Sequence, residues 1–435
     1  MNKAASVNDR YIPRKQKAVL AERLQLHDCV GLVGLRQVGK TDLAQLVARE
    51  SQGAQYFDLQ SPDALSRLGN GEQFFQDNPH SLIVLDEIQS CPRLLPILRA
   101  TIDARRQTFG SEGGRFVLLG STSLRTFLGE NESLAGRIAL LEVGPINLPE
   151  FLQGMTAPGI AVLEEIPGDV TTVPIARTDQ PSVAAMQRLL WLRGGLPKSL
   201  LASTDQDSFN WRLEYLRSYI ENDVPRLNEK IDWRLFRRFL ELVASRQASQ
   251  WNRTECARAL GIKARLLDDY VGYSTELLLV RELRPWSNSL ESRITKEPKL
   301  FIRDTGIYHS LRNISTIAEM AANGDIKGAS WEGFATECLV EAAGLRSKVS
   351  FYRDRQQREI DLVVEFSGVR HWGFEFKAAD DPTISRGNVE ACKTINTERC
   401  VVVYPGNTTY SRGGCEFMPL ISAIRSVESE ARNHD

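Results

Sequence analysis

Hydrophobic positions fall into two kinds of run along the first third of this chain. Short unbroken runs, Val30-Gly31-Leu32-Val33, Leu82-Ile83-Val84-Leu85 and Phe116-Val117-Leu118-Leu119, stop at glycine or acidic residues. Apolar at every position, they predict strands buried on both faces of a parallel sheet. Two further strands are expected at residues 54–58 and 138–143. Between them, apolar residues recur at helical spacing over residues 15–26, 42–50 and 93–106, and over a stretch to about 77 after a loop with Ser61-Pro62-Asp63. Strands alternating with helices in this way predict a parallel α/β sheet over residues 1–145, with its ligand site at the C-terminal strand edge.

The pattern then changes. Residues 146–230 are mostly helical. They hold a short helix near Pro149-Glu150-Phe151, a Pro/Gly/Thr-rich loop over 155–182, and helices at 183–193 and 209–222 that stop at Gly194-Gly195-Leu196-Pro197 and before Pro225. Residues 231–303 predict helices at 233–245, 252–260 and 263–279, with Gly261 as a tight turn and an extended stretch after Val280. This is the plan of a winged helix-turn-helix. From 304 to 435 the expected order is a helix at 328–343, strands at 349–352, 359–366 and 369–377, a helix, and a strand at 400–404.

Composition narrows the class. The 435 residues are 42% hydrophobic and 25% charged, ordinary for globular domains, and the formal net charge of −1 leaves any basic surface local. Residues 231–303 are such a place, with 14 Lys and Arg against 9 Asp and Glu, a balance that suits phosphate contacts. Lys263 and Arg265 would open the recognition helix, although such a module also serves for packing against protein. The seven cysteines are scattered without a C-x-x-C pair, which predicts neither zinc nor a disulfide framework. There is no apolar leader and no run long enough to span a membrane, so a cytoplasmic location is expected.

The first chemical motif is Gly34-Leu35-Arg36-Gln37-Val38-Gly39-Lys40-Thr41, placed between strand and helix. Its glycines let backbone N–H groups converge on phosphate, the helix adds its positive end, Lys40 reaches the β- and γ-phosphates, and the Thr41 hydroxyl holds Mg²⁺. Asp86 and Glu87 end the third strand beside this loop, Asp86 to hold Mg²⁺ and Glu87 to polarise an attacking water as general base. Ser121 or Thr122, after the fourth strand, is placed to sense the γ-phosphate or to cap the next helix. Arg137, expected at the end of a helix, either reaches a phosphate on a neighbouring subunit or satisfies helix carbonyls.

These motifs in this order resemble an AAA+ ATPase. The resemblance extends to a bacterial group of such ATPases with a C-terminal domain of unknown function, similar to archaeal ATPases in which an AAA+ module, a winged helix and a nuclease-like domain share one chain. It implies ATP and Mg²⁺ as cofactors, a helical lid over 146–230, DNA as a partner and a homo-oligomer. In that group the Gly195-Leu196-Pro197 step would lie near the nucleotide base, and Phe301 to Tyr308 would open the C-terminal domain.

The order α-β-β-β-α-β over 304–435 matches the core of PD-(D/E)XK nucleases. Glu375-Phe376-Lys377 gives E-x-K, with Glu375 and Lys377 on one strand face. Hairpin pairing symmetric about Gly368 would set Asp361 opposite Glu375, about 5 Å away. Two such carboxylates can share a divalent cation, with Glu332 as a third and Glu359 as a further candidate, while Lys377 orients the water. Either the domain cuts DNA, or it binds DNA or a protein partner without cleavage while the ATPase acts as a switch.

Overall fold

The computed structural model describes residues 11–109, 113–120, 134, 136–156, 182–227, 231–286, 297–367 and 370–433. The chain divides into two compact units, Met1–Ile146 with Glu276–Leu278, and Asn147–Thr275 with Leu279–Asp435.

In the first unit, strands β1 (Cys29–Val33), β2 (Gln55–Asp58), β3 (Ile83–Asp86), β4 (Phe116–Leu119) and β5 (Ile138–Glu142) form one sheet in the order β2-β3-β4-β1-β5. Every pairing is parallel. The three inner strands are buried along their whole length, and edge strands β2 and β5 are only partly so. That is why the inner strands read as unbroken apolar runs. Phe57, Phe75, Phe116, Leu98 and Ile102 fill the layer between sheet and helices, with Phe75 edge-on to Phe116 at 5.2 Å between ring centres.

In the second unit, helices Trp233–Ser245, Arg253–Leu260 and Ala264–Glu276 precede an antiparallel pair, β6 (Val280–Leu283) with β7 (Lys299–Ile302). Asp232 and Asn252 cap the first two helices, and Gly261 ends the second in the left-handed region at φ 70°. Phe236, Phe239 and Tyr270 meet as edge-on and stacked rings between these helices.

A six-stranded sheet follows, in the order β12-β13-β11-β10-β9-β8, with β8 Lys348–Arg353, β9 Glu359–Ser367, β10 Arg370–Phe376, β11 Arg399–Tyr404, β12 Tyr410–Arg412 and β13 Cys415–Pro419. The helix Gly324–Ala343 precedes it and Arg386–Thr394 joins β10 to β11, so the expected α-β-β-β-α-β order is present. Beyond it the structure adds β12, β13 and a final helix, Leu420–Arg432. Residues 284–286 extend the β6 side onto this sheet: Pro285 bridges Phe351, and Trp286 N donates to the Phe351 carbonyl at 2.6 Å. The hairpin is thereby fixed beside the sheet edge.

Two expectations, a short helix near residue 150 and the absence of a disulfide framework, meet a different arrangement. Helix Leu148–Thr156 is longer than the short helix expected there, and the described helices between 147 and 227 fall in the second unit. Arg193-Gly194-Gly195 closes on Asp304-Thr305-Gly306, with Gly195 N donating to Asp304 Oδ2 at 2.8 Å. The expected absence of disulfides is also overturned. The register pairs Val401 with Glu416, which sets Cys400 against Cys415 one step earlier on adjacent strands, and the two are joined with Cα atoms 4.9 Å apart. The Pro/Gly/Thr-rich loop expected at 155–182 lies mostly outside the described residues. Among the described residues, no helix is long and apolar enough to cross a membrane.

Candidate functional site

The loop Gly34–Gly39 leaves β1 and enters the helix Lys40–Glu50. Gly39 is left-handed at φ 98°, and a Cβ on Gly34 would stand 2.3 Å from the Val143 carbonyl oxygen, so the loop turns tightly against the end of β5. Gln37 also takes a positive φ, 60°. Arg14 ties the loop down from outside, donating to the Val38 carbonyl at 2.9 Å and the Gly144 carbonyl at 2.6 Å. Lys40 folds over the loop, its Nζ donating to the carbonyls of Gly34 at 2.9 Å and Leu35 at 3.0 Å. Burial draws its pKa down to about 8, against the pull of Glu87 and Asp86. Leu35, Arg36 and Val38 complete the loop, with Leu35 and Val38 buried beneath it.

Strand β3 delivers Asp86 to the same place. Asp86 Oδ2 accepts from Thr41 Oγ1 at 2.8 Å and from Tyr56 Oη at 2.7 Å, and Oδ1 accepts from Glu87 N at 2.9 Å. A hydroxyl and a carboxylate held in contact suit a hard cation, so Thr41 and Asp86 fit the Mg²⁺ that accompanies a nucleotide. Glu87 follows at φ 54°, a left-handed conformation that costs a non-glycine residue energy and is concentrated at functional positions. Gln89 Nε2 donates to its Oε2.

Two further participants were expected here, Ser121 and Arg137. Ser121 falls outside the described residues. Arg137 occupies a turn just before β5, its N–H bonded to the Leu134 carbonyl. β5 runs parallel to β1, with Ile138 beside Cys29 and Glu142 beside Val33. Arg137 therefore sits at the N-terminal sheet edge, roughly 15 Å along the strands from the loop. Its guanidinium forks Asp103, at 2.6 Å and 2.9 Å.

The second unit gathers another set. The hairpin register ends with Phe374 opposite Leu362, so Glu375 and Asp361 are the next pair, at the offset predicted by symmetry about Gly368. Lys377 Nζ donates to Glu375 Oε1 at 2.6 Å. Asp361 Oδ2 accepts from Phe376 N at 3.0 Å. Glu332, on the Gly324–Ala343 helix, and Glu359 and Asp361, on β9, all face one group that sequence reasoning missed. This is the Lys299 ammonium, at 2.8 Å from Glu332, 2.7 Å from Glu359 and 3.6 Å from Asp361.

Lys299 is 1% exposed. Burial opposes its charge, yet Glu332, Asp361 and Glu359 together outweigh burial and hold its pKa above the ordinary lysine value. Burial, reinforced by Asp361, pushes the Glu332 carboxyl up to about 8 while Lys299 pulls it back. Glu375 is raised for the same reasons, against Lys377. The ammoniums of Lys299 and Lys377 and the Arg353 guanidinium, 3.3 Å from Glu359, face the four carboxyl groups. The set does not fit a shared metal ion. Among the described residues, no three Asp, Glu, His or Cys side chains stand in a metal-holding arrangement.

Lys299 had a signal in the sequence. It opens Lys299-Leu300-Phe301-Ile302, a strand otherwise apolar on both faces. A charge in such a strand requires a buried counter-charge. Tyr56 and Arg14 had none, because both act through tertiary contacts alone.

Comparison with known proteins gives three matched regions. The family described as "AAA domain" matches residues 27–152. Two domains of unknown function match residues 185–318 (DUF8612) and 327–422 (DUF4143). Among solved structures, the Aeropyrum pernix ORC1 protein in complex with DNA is 15% identical, with a TM-score of 0.31, over 72% of this chain and 95% of that one. The replication initiator DnaA bound to AMPPCP and single-stranded DNA is 13% identical, with a TM-score of 0.29, over 61% and 90%. Two curated proteins are much nearer: Rv2008c of Mycobacterium tuberculosis and Mb2031c of Mycobacterium bovis, both described as uncharacterized, each 33% identical over 92% of this chain and 82% of its own length. The chain belongs to the family of these mycobacterial proteins, with an AAA domain at its N-terminal end.

Proposed function

We propose that the chain is an Mg²⁺-dependent ATPase of AAA+ type that works as a homo-oligomer. Its nucleotide state would govern a DNA-contacting C-terminal half made of a winged helix and a PD-(D/E)XK-like domain. The observation that carries the ATPase reading is the joined set of Lys40 over the loop carbonyls and Thr41 in contact with Asp86. In this reading the loop N–H groups and Lys40 bind the phosphates, and Thr41 and Asp86 hold Mg²⁺, which neutralises phosphate charge. Glu87 takes the proton of the attacking water. The DNA reading is supported by the basic balance of residues 231–303 and by the three helices and hairpin they form.

The test is ATP turnover by the full chain with and without DNA. Glu87→Gln should keep ATP binding and lower kcat by about 10²- to 10⁴-fold. Lys40→Ala should lose binding itself. Turnover near wild type in Glu87→Gln would remove the general-base assignment, and unchanged ATP affinity in Lys40→Ala would remove the phosphate site. Stimulation by DNA is expected, and its absence would favour a protein partner. A second reading, binding without cleavage, is favoured by Lys299 among the carboxylates of the nuclease-like domain.

A further inference from the structure

We propose that the Lys299 ammonium is the resident cation of the C-terminal carboxylate cluster, a tethered charge that excludes a divalent metal from it. The inference rests on the nuclease-like reading of this domain and decides what its acidic site can do. Lys299 Nζ lies within 2.8 Å of Glu332 and 2.7 Å of Glu359, with Asp361 Oδ1 at 3.6 Å. Three N–H donors thus face three carboxylates, which matches the donor count of an ammonium. A hard divalent ion needs several of the same oxygens at about 2.0–2.6 Å. It cannot share that space with the ammonium, and it would meet like-charge repulsion there.

Asp361 and Glu375 also each commit one oxygen elsewhere. Asp361 turns Oδ2 to the Phe376 N–H at 3.0 Å, leaving Oδ1 on the Lys299 side. Glu375 gives Oε1 to Lys377 at 2.6 Å, and its other oxygen, Oε2, is buried without a hydrogen-bond partner. Lys299 has no short way out. Its strand is paired on one side with Leu283 and bridged on the other to Gln250. Its ammonium lies 5.5 Å from the centre of the Phe351 ring, and Phe351 is itself bonded to residues 284 and 286. Further along the strand, Ile302 N donates to Gln247 Oε1 at 2.9 Å. Withdrawing the ammonium means moving the hairpin as a body. The acidic cluster therefore acts as an internal salt-bridge lock between hairpin and sheet, and the domain holds its nucleic acid without cutting it.

Mn²⁺ is the probe, because its free ion is read directly by electron paramagnetic resonance. Full-length Thr41→Ala protein, without nucleotide, removes a ligand of the other metal position. In this background, adding Asp361→Ala should leave Mn²⁺ binding unchanged. Adding Lys299→Met should create one Mn²⁺ site per chain, bound at least 10-fold more tightly than any site in the Lys299 protein, and Asp361→Asn should abolish it. Lys299→Met combined with Glu359→Gln removes a positive and a negative charge together and gives the same readout if the single variant folds poorly.

An Asp361-dependent Mn²⁺ site in the protein that keeps Lys299 would overturn the proposal. So would a folded Lys299→Met protein that gains none. DNA cleavage by the Lys299 protein that needs both Mn²⁺ and Asp361 would overturn it as well. A gained Mn²⁺ site with no cleavage of DNA would uphold the metal inference and refute the nuclease-like reading on its own.

Discussion

His309 shows how far one buried side chain can be resolved from its neighbours. It is fully enclosed, with Nδ1 at 2.9 Å from the Leu192 carbonyl and Nε2 at 2.7 Å from Ser330 Oγ. A carbonyl only accepts, so Nδ1 carries the proton. Trp191 Nε1 donates to the same Ser330 oxygen at 2.8 Å, which leaves the serine hydroxyl hydrogen for His309 Nε2. The neutral ring thus has one donor and one acceptor, both satisfied. Burial draws its pKa down to about 3; the Leu192 carbonyl works the other way, and Arg212 lowers it further. In the unfolded chain the ring takes a proton near pH 6.5. The unfolded state therefore binds more protons between those values, and stability falls as pH drops through that window. From pH 7 to pH 5 this group should cost about 2 kcal/mol. Glu332, raised to about 8, gives the opposite slope across that whole interval, in wild type and variant alike. Denaturant unfolding at both pH values should accordingly be compared between wild type and His309→Gln. The variant should lose less stability on acidification, by about that amount; equal slopes would mean that His309 is not the neutral ring described.

At the scale of elements, the second unit is pinned where Arg193-Gly194-Gly195 meets Asp304-Thr305-Gly306. Asp304 caps the helix Thr305–Leu311 through Ile307 N at 2.9 Å and also accepts from Gly195 N. Arg212, fully buried, donates to the Arg193 carbonyl at 3.2 Å and to Ser208 at 2.7 Å. A Cβ on Gly306 would stand 2.1 Å from the Arg193 carbonyl oxygen and 2.8 Å from Arg212 Cδ. Gly306→Ala should therefore destabilise the unit by about 1–3 kcal/mol in urea unfolding. Gly328→Ala, in a helix with open space around the position, should be neutral or stabilising by up to about 1 kcal/mol. Equal effects of the two alanines would refute this account of the junction. The elements on either side were legible in the sequence: the helices at 183–193 and 233–245 have the expected limits. The phosphate loop and the E-x-K strand were legible too, because each is a local pattern of glycine, charge and periodicity. What brings distant segments together was not. Lys299 on Glu332, Gly195 on Asp304 and Cys400 on Cys415 are each set by register and packing, which no local spacing encodes.

At the scale of the whole molecule, the question is whether one chain holds a complete ATPase site. Lys40, Thr41, Asp86 and Glu87 gather at the C-terminal strand edge, whereas the strand pairing fixes Arg137 at the opposite edge. An arginine so placed has no route to its own phosphates, but it can face those of a second copy. Its partner in the chain, Asp103, is 36% exposed at the side chain, so the fork is one that solvent and salt can weaken. If Arg137 serves a neighbouring subunit, specific ATPase activity should rise with protein concentration, because the complete site forms only on assembly. Arg137→Ala should flatten that rise and hold activity at the dilute level, a loss that approaches 10³-fold where such an arginine meets the transition state. Asp103→Asn distinguishes the two roles of the pair. It releases the guanidinium without removing it, so a finger in trans keeps the concentration dependence, whereas a purely structural fork makes Asp103→Asn and Arg137→Ala equivalent. Specific activity that is constant with concentration and unchanged in Arg137→Ala would leave the fork to Asp103 as the residue's whole role, and would make each chain an independent ATPase.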